Sequence, residues 1–167
     1  AKTLQAHTDL VLQLQARTVR REYEAVTVGC VIAGGTVDQP IGRHPHQRTK
    51  MAVITDGKAA RTHYRVLKRF DSHSHLRVKL ETGRTHQIRV HMAHIKHPIV
   101  GDDTYAGRLR IHKGTSIELQ ECLRQFGRQA LHARELALVH PATGKEVGWT
   151  TDLPEDMQNL LEALAIG

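Results

Sequence analysis

The chain has 167 residues, of which 40% are hydrophobic and 25% are charged, and these proportions predict one globular domain with its own core. It contains neither an apolar run long enough to cross a membrane nor the apolar block of a signal peptide near Ala1, so we expect a cytoplasmic protein. Cys30 and Cys122 are far apart and show no CxxC spacing, which argues against a zinc ribbon or a disulfide framework and predicts free, mostly buried thiols.

The net charge of +7 is unevenly distributed along the chain. Residues 1–113 contain 20 Lys and Arg against 9 Asp and Glu, whereas residues 114–167 contain 4 against 8. A basic block spread over several elements indicates a partner with a phosphate backbone, most simply a nucleic acid. The solvated surface of a basic protein is the alternative, and composition favours neither.

The first predicted elements are a helix and a strand. After Thr3 as a possible cap, apolar residues at helical spacing predict an amphipathic helix over Leu4–Val19. A short strand follows over Arg21–Gly29 and contains Tyr23. An aromatic residue in such a strand is more often part of the core than functional.

A basic segment over Val37–Lys50 contains two prolines and is predicted to be an irregular loop. Arg43, Arg48 and Lys50 make it a candidate phosphate-binding segment, although a solvated loop fits equally well. Two strands, Met51–Ile54 and Ala59–Phe70, are then separated by an Asp56-Gly57 turn signal.

The most informative stretch begins with a half-buried strand in which Leu76, Val78 and Leu80 alternate with charged residues. Thr82-Gly83 breaks this strand. A helix capped by Thr85 is predicted from the spacing of Ile88, Met92 and Ile95, and His97-Pro98 ends it. Around this corner the sequence gathers polar and cationic side chains that suit a polyanion: Arg84, His86, Gln87 and Arg89.

The acidic remainder of the chain predicts a helix over Ser116–Phe126 and a strand over Glu135–His140. Residues Glu146–Thr151 pair back as a hairpin, and Asp152 caps a last helix. The predicted class is therefore α+β, one domain with a mixed, largely antiparallel sheet and segregated helices.

Thirteen histidines raise the possibility of a metal hydrolase, and His91, His94 and His97 are spaced by three. No HExxH motif occurs, and residues 86–97 contain no carboxylate, so we expect no metal. Asp102 and Asp103 are adjacent and are expected to cap the loop after Gly101 rather than act as a catalytic pair.

Three segments resemble the catalytic domain of the RluA-type pseudouridine synthases: GRTHQIRVHMAHIKHPIVGDDTYAGR from Gly83, REYEAV from Arg21 and RQALHA from Arg128. The resemblance implies cofactor-free isomerisation of uridine to pseudouridine in a stem-loop of large-subunit ribosomal RNA, after the target base is flipped out. It also implies that Tyr23 stacks on the base and helps remove the carbon-five proton, and that Arg89 pairs with a nucleophilic aspartate.

By the same resemblance, Arg84, His86 and Gln87 line the RNA-facing rim. The family's His-Arg-Leu-Asp motif, which holds the nucleophile, does not occur in this sequence. We therefore expect residues 1–167 to form part of a catalytic domain, without the family's small N-terminal RNA-binding domain, and to be inactive alone. The alternative is an RNA-binding module without catalysis.

Overall fold

The computed structural model describes residues 1–109, 111–112 and 114–167. The elements in chain order are α1 (Leu4–Gln15), β1 (Arg20–Val28), β2 (Gly35–Asp38), β3 (Ile41–Arg43), β4 (Met51–Val53), β5 (Arg61–Arg69), β6 (His73–Leu80), α2 (Gln87–His94), α3 (Ile117–Gln125), β7 (Leu131–Val139), β8 (Glu146–Thr150) and α4 (Glu155–Ile166).

Six strands form one sheet in the order β2-β5-β6-β1-β7-β8, and β3 and β4 form a separate two-stranded hairpin. Every pair of neighbouring strands among the described residues is antiparallel. Together with the helices, this arrangement confirms the predicted α+β class. The predicted hairpin at the end of the chain is confirmed too, because β7 pairs with β8.

The centre of the sheet is buried on both faces. Ala25 and Leu76 are opposite each other on β1 and β6 and therefore point to the same face, whereas Val26 points to the other. All three are fully buried in a core that also contains Ile88 and Met92 of α2 and the following residues of α3 and α4: Leu119, Leu123, Met157, Leu160 and Leu164.

The predicted first helix is shorter and more exposed than expected. It ends at Gln15 rather than Val19, because Arg17 adopts a positive φ of 59° and the chain turns into β1. None of its residues is buried, and Leu4 is 81% exposed. The apolar positions Leu10 and Val11 are half-buried.

The predicted irregular loop over Val37–Lys50 is also partly wrong, because β2 and β3 lie within it. Ile41 is buried against Ala60 and Val90, and this apolar anchor holds the β3–β4 hairpin on α2. Strand β4 therefore pairs with β3 and not across the Asp56-Gly57 turn.

Two further expectations need correction. Asp152 does not cap the last helix, since Pro154 is the N-cap and Asp152 accepts a hydrogen bond from Arg134 at 3.0 Å. Both cysteines are free, but Cys30 is exposed rather than buried. No helix in the described part of the chain is long and apolar enough to span a membrane.

Candidate functional site

Gln87, the first residue of α2, is a structural anchor. Its side chain is 2% exposed. Its Oε1 accepts hydrogen bonds from the Thr82 hydroxyl and from the Arg84 backbone N–H at 2.8 and 2.9 Å. Its Nε2 donates to the Arg61 carbonyl and to the Thr62 hydroxyl at 3.0 and 2.9 Å. All four hydrogen-bonding positions of this side chain are therefore used within the chain, which argues against the predicted contact of Gln87 with RNA.

Arg89 pairs with a carboxylate of this chain, whereas the resemblance led us to expect an aspartate that this sequence lacks. Its Nε and Nη2 donate to the Oδ2 and Oδ1 of Asp102 at 2.8 and 2.7 Å, a bidentate pair. The Asp102 side chain is 0% exposed, and its Oδ1 also accepts the backbone N–H groups of Thr104 and Tyr105. The hydrogen bond to Asp102, followed by its charge, raises the pKa of Arg89 against the opposing effect of burial.

This pairing bears on two expectations. Asp102 engages Nε and Nη2 of Arg89 and leaves Nη1 unused, so the predicted pairing of Arg89 with a nucleophilic aspartate stays a prediction. Asp102 does cap the loop after Gly101, as predicted, but its main partner is the guanidinium thirteen residues earlier. The sequence contained one usable signal, because Asp102, two residues after the apolar Ile99-Val100, is buried with them and then requires a cation.

Tyr105 is a functional candidate that the sequence interpretation missed. The Arg89 guanidinium lies over its ring at 4.9 Å, and its hydroxyl lies 2.8 Å from Nδ1 of His86. The same hydroxyl accepts the Met51 backbone N–H at 3.0 Å. Tyr105 thus joins the amino end of α2 to the start of β4.

The N-cap of α2 is His86 and not Thr85, as the sequence had predicted. It is the N-cap residue with a left-handed φ of 56°, and its side chain caps no backbone N–H. A non-glycine residue in this region stores backbone strain that surrounding contacts must hold. Burial, then the charge of Arg89, lowers the pKa of His86, although the residue remains largely exposed at the surface.

The predicted basic segment reaches the same corner through the β3–β4 hairpin. Arg43 and Arg48 are exposed, and the turn between them is closed by the Arg43 guanidinium, which donates to the Arg48 carbonyl at 3.1 Å. Lys50 immediately precedes Met51, whose N–H is bound by Tyr105. The structure therefore brings Arg43, Arg48 and Lys50 to the corner that His86 occupies.

A separate cleft of about 370 Å³ opens between α1 and the segment from Glu81 to Arg84. Arg17, Arg21 and Arg84 line it, and Glu81 is its carboxylate. The Arg21 guanidinium lies against Gly83, where a β-carbon would collide with it, and its buried Nε has no partner among the described residues. Arg84 donates through Nε to the Ala59 carbonyl at 3.0 Å, and this contact does not use its terminal nitrogens.

Glu81 already has partners within this chain. It accepts from His63 and from Arg61 at 3.1 and 3.2 Å and is also paired with Arg17. The hydrogen bond from His63, and then the charge of Arg61, hold the pKa of Glu81 below its ordinary value against the effect of burial. The cleft therefore keeps an excess of positive charge in Arg21 and Arg84.

Tyr23 lies two residues beyond Arg21 on β1, directly opposite Val78 of β6, and is partly buried against the main core. This placement agrees with the core interpretation of the residue. Arg89 contacts a different group of residues. Its guanidinium lies over the ring of Tyr105, and Tyr105 packs against the second core of Ile41, Ala60 and Val90.

Two of the three histidines considered as metal ligands, His91 and His97, have other contacts. The buried His91 ring lies 2.9 Å from both the Thr62 hydroxyl and the Gln39 carbonyl, so both of its nitrogens are used. His97 Nδ1 lies 3.0 Å from the Val28 carbonyl. These contacts fix α2 and the segment after it to the sheet.

Comparison with known proteins agrees with this architecture. The family model for RNA pseudouridylate synthase matches residues 1–94. The chain is 62% identical to ribosomal large subunit pseudouridine synthase D of Pseudomonas aeruginosa and 57% identical to that of Escherichia coli K12, in each case over 98% of this chain. It spans about half the length of these relatives, 51% and 50%.

Solved structures give the same result. Human RNA pseudouridylate synthase domain containing 4 is similar with a TM-score of 0.77 and 27% identity, over 98% of this chain and 69% of that one. Human RNA pseudouridylate synthase domain containing 1 has a TM-score of 0.71 and 25% identity, over 100% and 74%. The resemblance predicted from the three sequence segments is confirmed, and the chain belongs to the RNA pseudouridylate synthase family.

Proposed function

We propose that residues 1–167 form part of the catalytic domain of an enzyme that isomerises uridine to pseudouridine in a stem-loop of large-subunit ribosomal RNA. The observation that carries this proposal is the adjacency of two cationic features at the amino end of α2. One is the basic hairpin with Arg43, Arg48 and Lys50, and the other is the cleft with Arg21 and Arg84. A phosphate backbone that crosses the hairpin would bring a nucleotide to the cleft.

The positive charge of the cleft supports the pairing of the nucleophile with a cation, which the resemblance implies. In the family reaction an aspartate attacks the uracil ring or the ribose anomeric carbon, the glycosidic bond breaks, the base turns, and carbon five bonds to the sugar. We infer that Arg89 pairs with that aspartate through Nη1, the guanidinium nitrogen that Asp102 leaves unused, and that Arg84 and Arg21 help to keep the aspartate ionised. Tyr23, two residues after Arg21, is proposed to stack on the flipped base and to assist removal of the carbon-five proton.

The nucleophile itself is proposed to lie outside these 167 residues. Glu81 is the carboxylate of the cleft, and it is bound by the guanidinium groups of Arg17 and Arg61 and by the His63 ring. Asp102 is buried and accepts four hydrogen bonds. We therefore expect the chain alone to bind RNA without isomerising it, with no cofactor or metal in the proposed chemistry. Because the relatives are named for ribosomal RNA modification, we propose that it works in the cytoplasm.

The test compares this chain with a longer polypeptide in which the corresponding amino-terminal half of the Pseudomonas aeruginosa relative precedes it. Each is incubated with large-subunit ribosomal RNA, and pseudouridine is measured by nucleoside analysis after digestion. We expect product only with the longer polypeptide. Pseudouridine formed by the chain alone would contradict the proposed location of the nucleophile. RNA binding by both polypeptides without any product would favour the binding module.

A further inference from the structure

We propose that Tyr105 is a positioning residue that holds His86 in one neutral tautomer and thereby presents the His86 Nε2–H as a fixed hydrogen-bond donor to RNA. The inference rests on the proposed function, because it assigns a specific contact to the RNA-facing corner.

The tautomer follows from the hydrogen bonds of the Tyr105 hydroxyl. This group has one proton to donate and accepts the Met51 backbone N–H at 3.0 Å. Its other neighbour is Nδ1 of His86 at 2.8 Å. If Nδ1 carried a proton, two donors would point at one oxygen, and the hydroxyl proton would have no acceptor among the described residues. The hydroxyl therefore donates to an unprotonated Nδ1, and the imidazole proton lies on Nε2.

The phenol is itself held on several sides. The Arg89 guanidinium lies over its ring at 4.9 Å and is fixed by the bidentate bond to buried Asp102. The backbone N–H of Tyr105 donates to Asp102 Oδ1 at 3.1 Å, so the residue is fixed from its main chain as well. The Arg89–Asp102 pair therefore fixes the position of Tyr105, a role that the family resemblance did not imply.

The strained backbone of His86 gives a second, independent reason to assign a function to this residue. Its φ of 56° directs the imidazole toward Tyr105, and the two rings meet edge to face with centroids 5.7 Å apart. No cap of α2 requires this conformation, because the His86 side chain binds no backbone N–H of the helix. The strain is therefore compensated by the contact of Nδ1 with Tyr105, and Nε2 of this exposed residue is not used in that contact.

The same hydroxyl also sets the distance between two RNA-facing features. By accepting the Met51 N–H it fixes the end of the basic hairpin directly after Lys50, while it orients His86 on α2. A phosphate contact at the hairpin and a donor at His86 are then presented in a constant relation. Nε2–H can donate to a phosphate oxygen or to a carbonyl of an unstacked base.

The experiment uses the full chain and a fluorescently labelled RNA hairpin with a uridine-rich loop. The free protein is first examined by nitrogen-15 NMR at about pH 8, where neutral imidazole predominates. We expect His86 to show a protonated Nε2 and an unprotonated Nδ1, and Tyr105→Phe to give a mixture of tautomers. Tyr64→Phe, which also removes one tyrosine hydroxyl but lies on β5, is the matched control and leaves His86 unchanged.

RNA affinity is then measured for Tyr105→Phe, His86→Ala and the double variant. Each single change is expected to weaken binding by about three- to tenfold, and the double variant by no more than the stronger single change. A protonated Nδ1 in the wild-type protein, or additive effects of the two changes in a protein that binds RNA, would overturn the inference while the proposed function stands. A wild-type chain that does not bind the hairpin would overturn both.

Discussion

The buried Arg89–Asp102 pair makes a quantitative prediction about stability. Asp102→Ala removes a carboxylate whose side chain is 0% exposed and leaves a guanidinium that is only 14% exposed without its partner. Removing one member of a buried ion pair costs about 3–5 kcal/mol, a large share of the roughly 5–15 kcal/mol that stabilises a domain. We therefore expect the free energy of unfolding, measured by urea denaturation with far-ultraviolet circular dichroism, to fall by that amount.

Two further variants distinguish the effect of losing the ion pair from the effect of disturbing the loop. Asp103→Ala changes the exposed neighbour and is expected to alter the free energy of unfolding by less than about 0.5 kcal/mol. Arg89→Met combined with Asp102→Ala is expected to cost less than the sum of the single changes, because no unpaired buried charge remains. If Asp102→Ala cost less than about 1 kcal/mol, the reasoning that treats this pair as a support of the α2 corner would be refuted.

The remaining predictions concern stability, pH and salt. Gln87→Leu abolishes four buried hydrogen bonds and is expected to lower the free energy of unfolding by about 2–4 kcal/mol. The control Arg84→Ala is expected to change it by less than about 1 kcal/mol. An equal effect of both variants in urea denaturation would contradict the assignment of Gln87 as an anchor. Burial, then the charge of His112, lowers the pKa of His73 to about 4, so the folded chain binds fewer protons than the unfolded chain between that value and 6.5. Stability is complete above about pH 6.5 and falls by up to about 3 kcal/mol as the pH drops toward 4, and His73→Asn should reduce this pH dependence in denaturation at about pH 7 and about pH 4.5. Arg48→Ala is expected to reduce the slope of log RNA affinity against log salt by about 0.7–0.9, whereas Arg124→Ala on α3 leaves it unchanged; equal slopes for both variants would remove the hairpin from the interface.

Local sequence patterns predicted the elements that depend on residues close together in the sequence. The alternation at Leu76, Val78 and Leu80 predicted β6, and Ser116, which accepts from the Leu119 N–H, begins α3 as expected. The apolar spacing of α1 misled, because a helical pattern does not say whether a partner surface is present. None of its residues is buried within the described structure.

The site was only partly predictable because its key contacts join residues distant in sequence. Gln87 looked like a surface amide until Arg61 and Thr62 of β5 approached it across the sheet. Arg89 projected from the predicted apolar line of α2, but no local pattern could reveal that Asp102 returns beneath it after the turn at Gly101. The basic residues Arg43, Arg48 and Lys50 were identifiable from composition alone, because exposed cations need no partner within the chain.

The most direct test of the proposed catalytic corner is pseudouridine formation by the longer polypeptide with Arg84 replaced. Arg84→Ala is expected to leave circular dichroism unchanged and to slow isomerisation of large-subunit ribosomal RNA by about a hundredfold or more, because the nucleophile would lose a cation that keeps it ionised. Arg108→Ala is the charge-matched control, and it retains wild-type turnover. Wild-type turnover in Arg84→Ala would contradict the assignment of the cleft as the place where the uridine reacts.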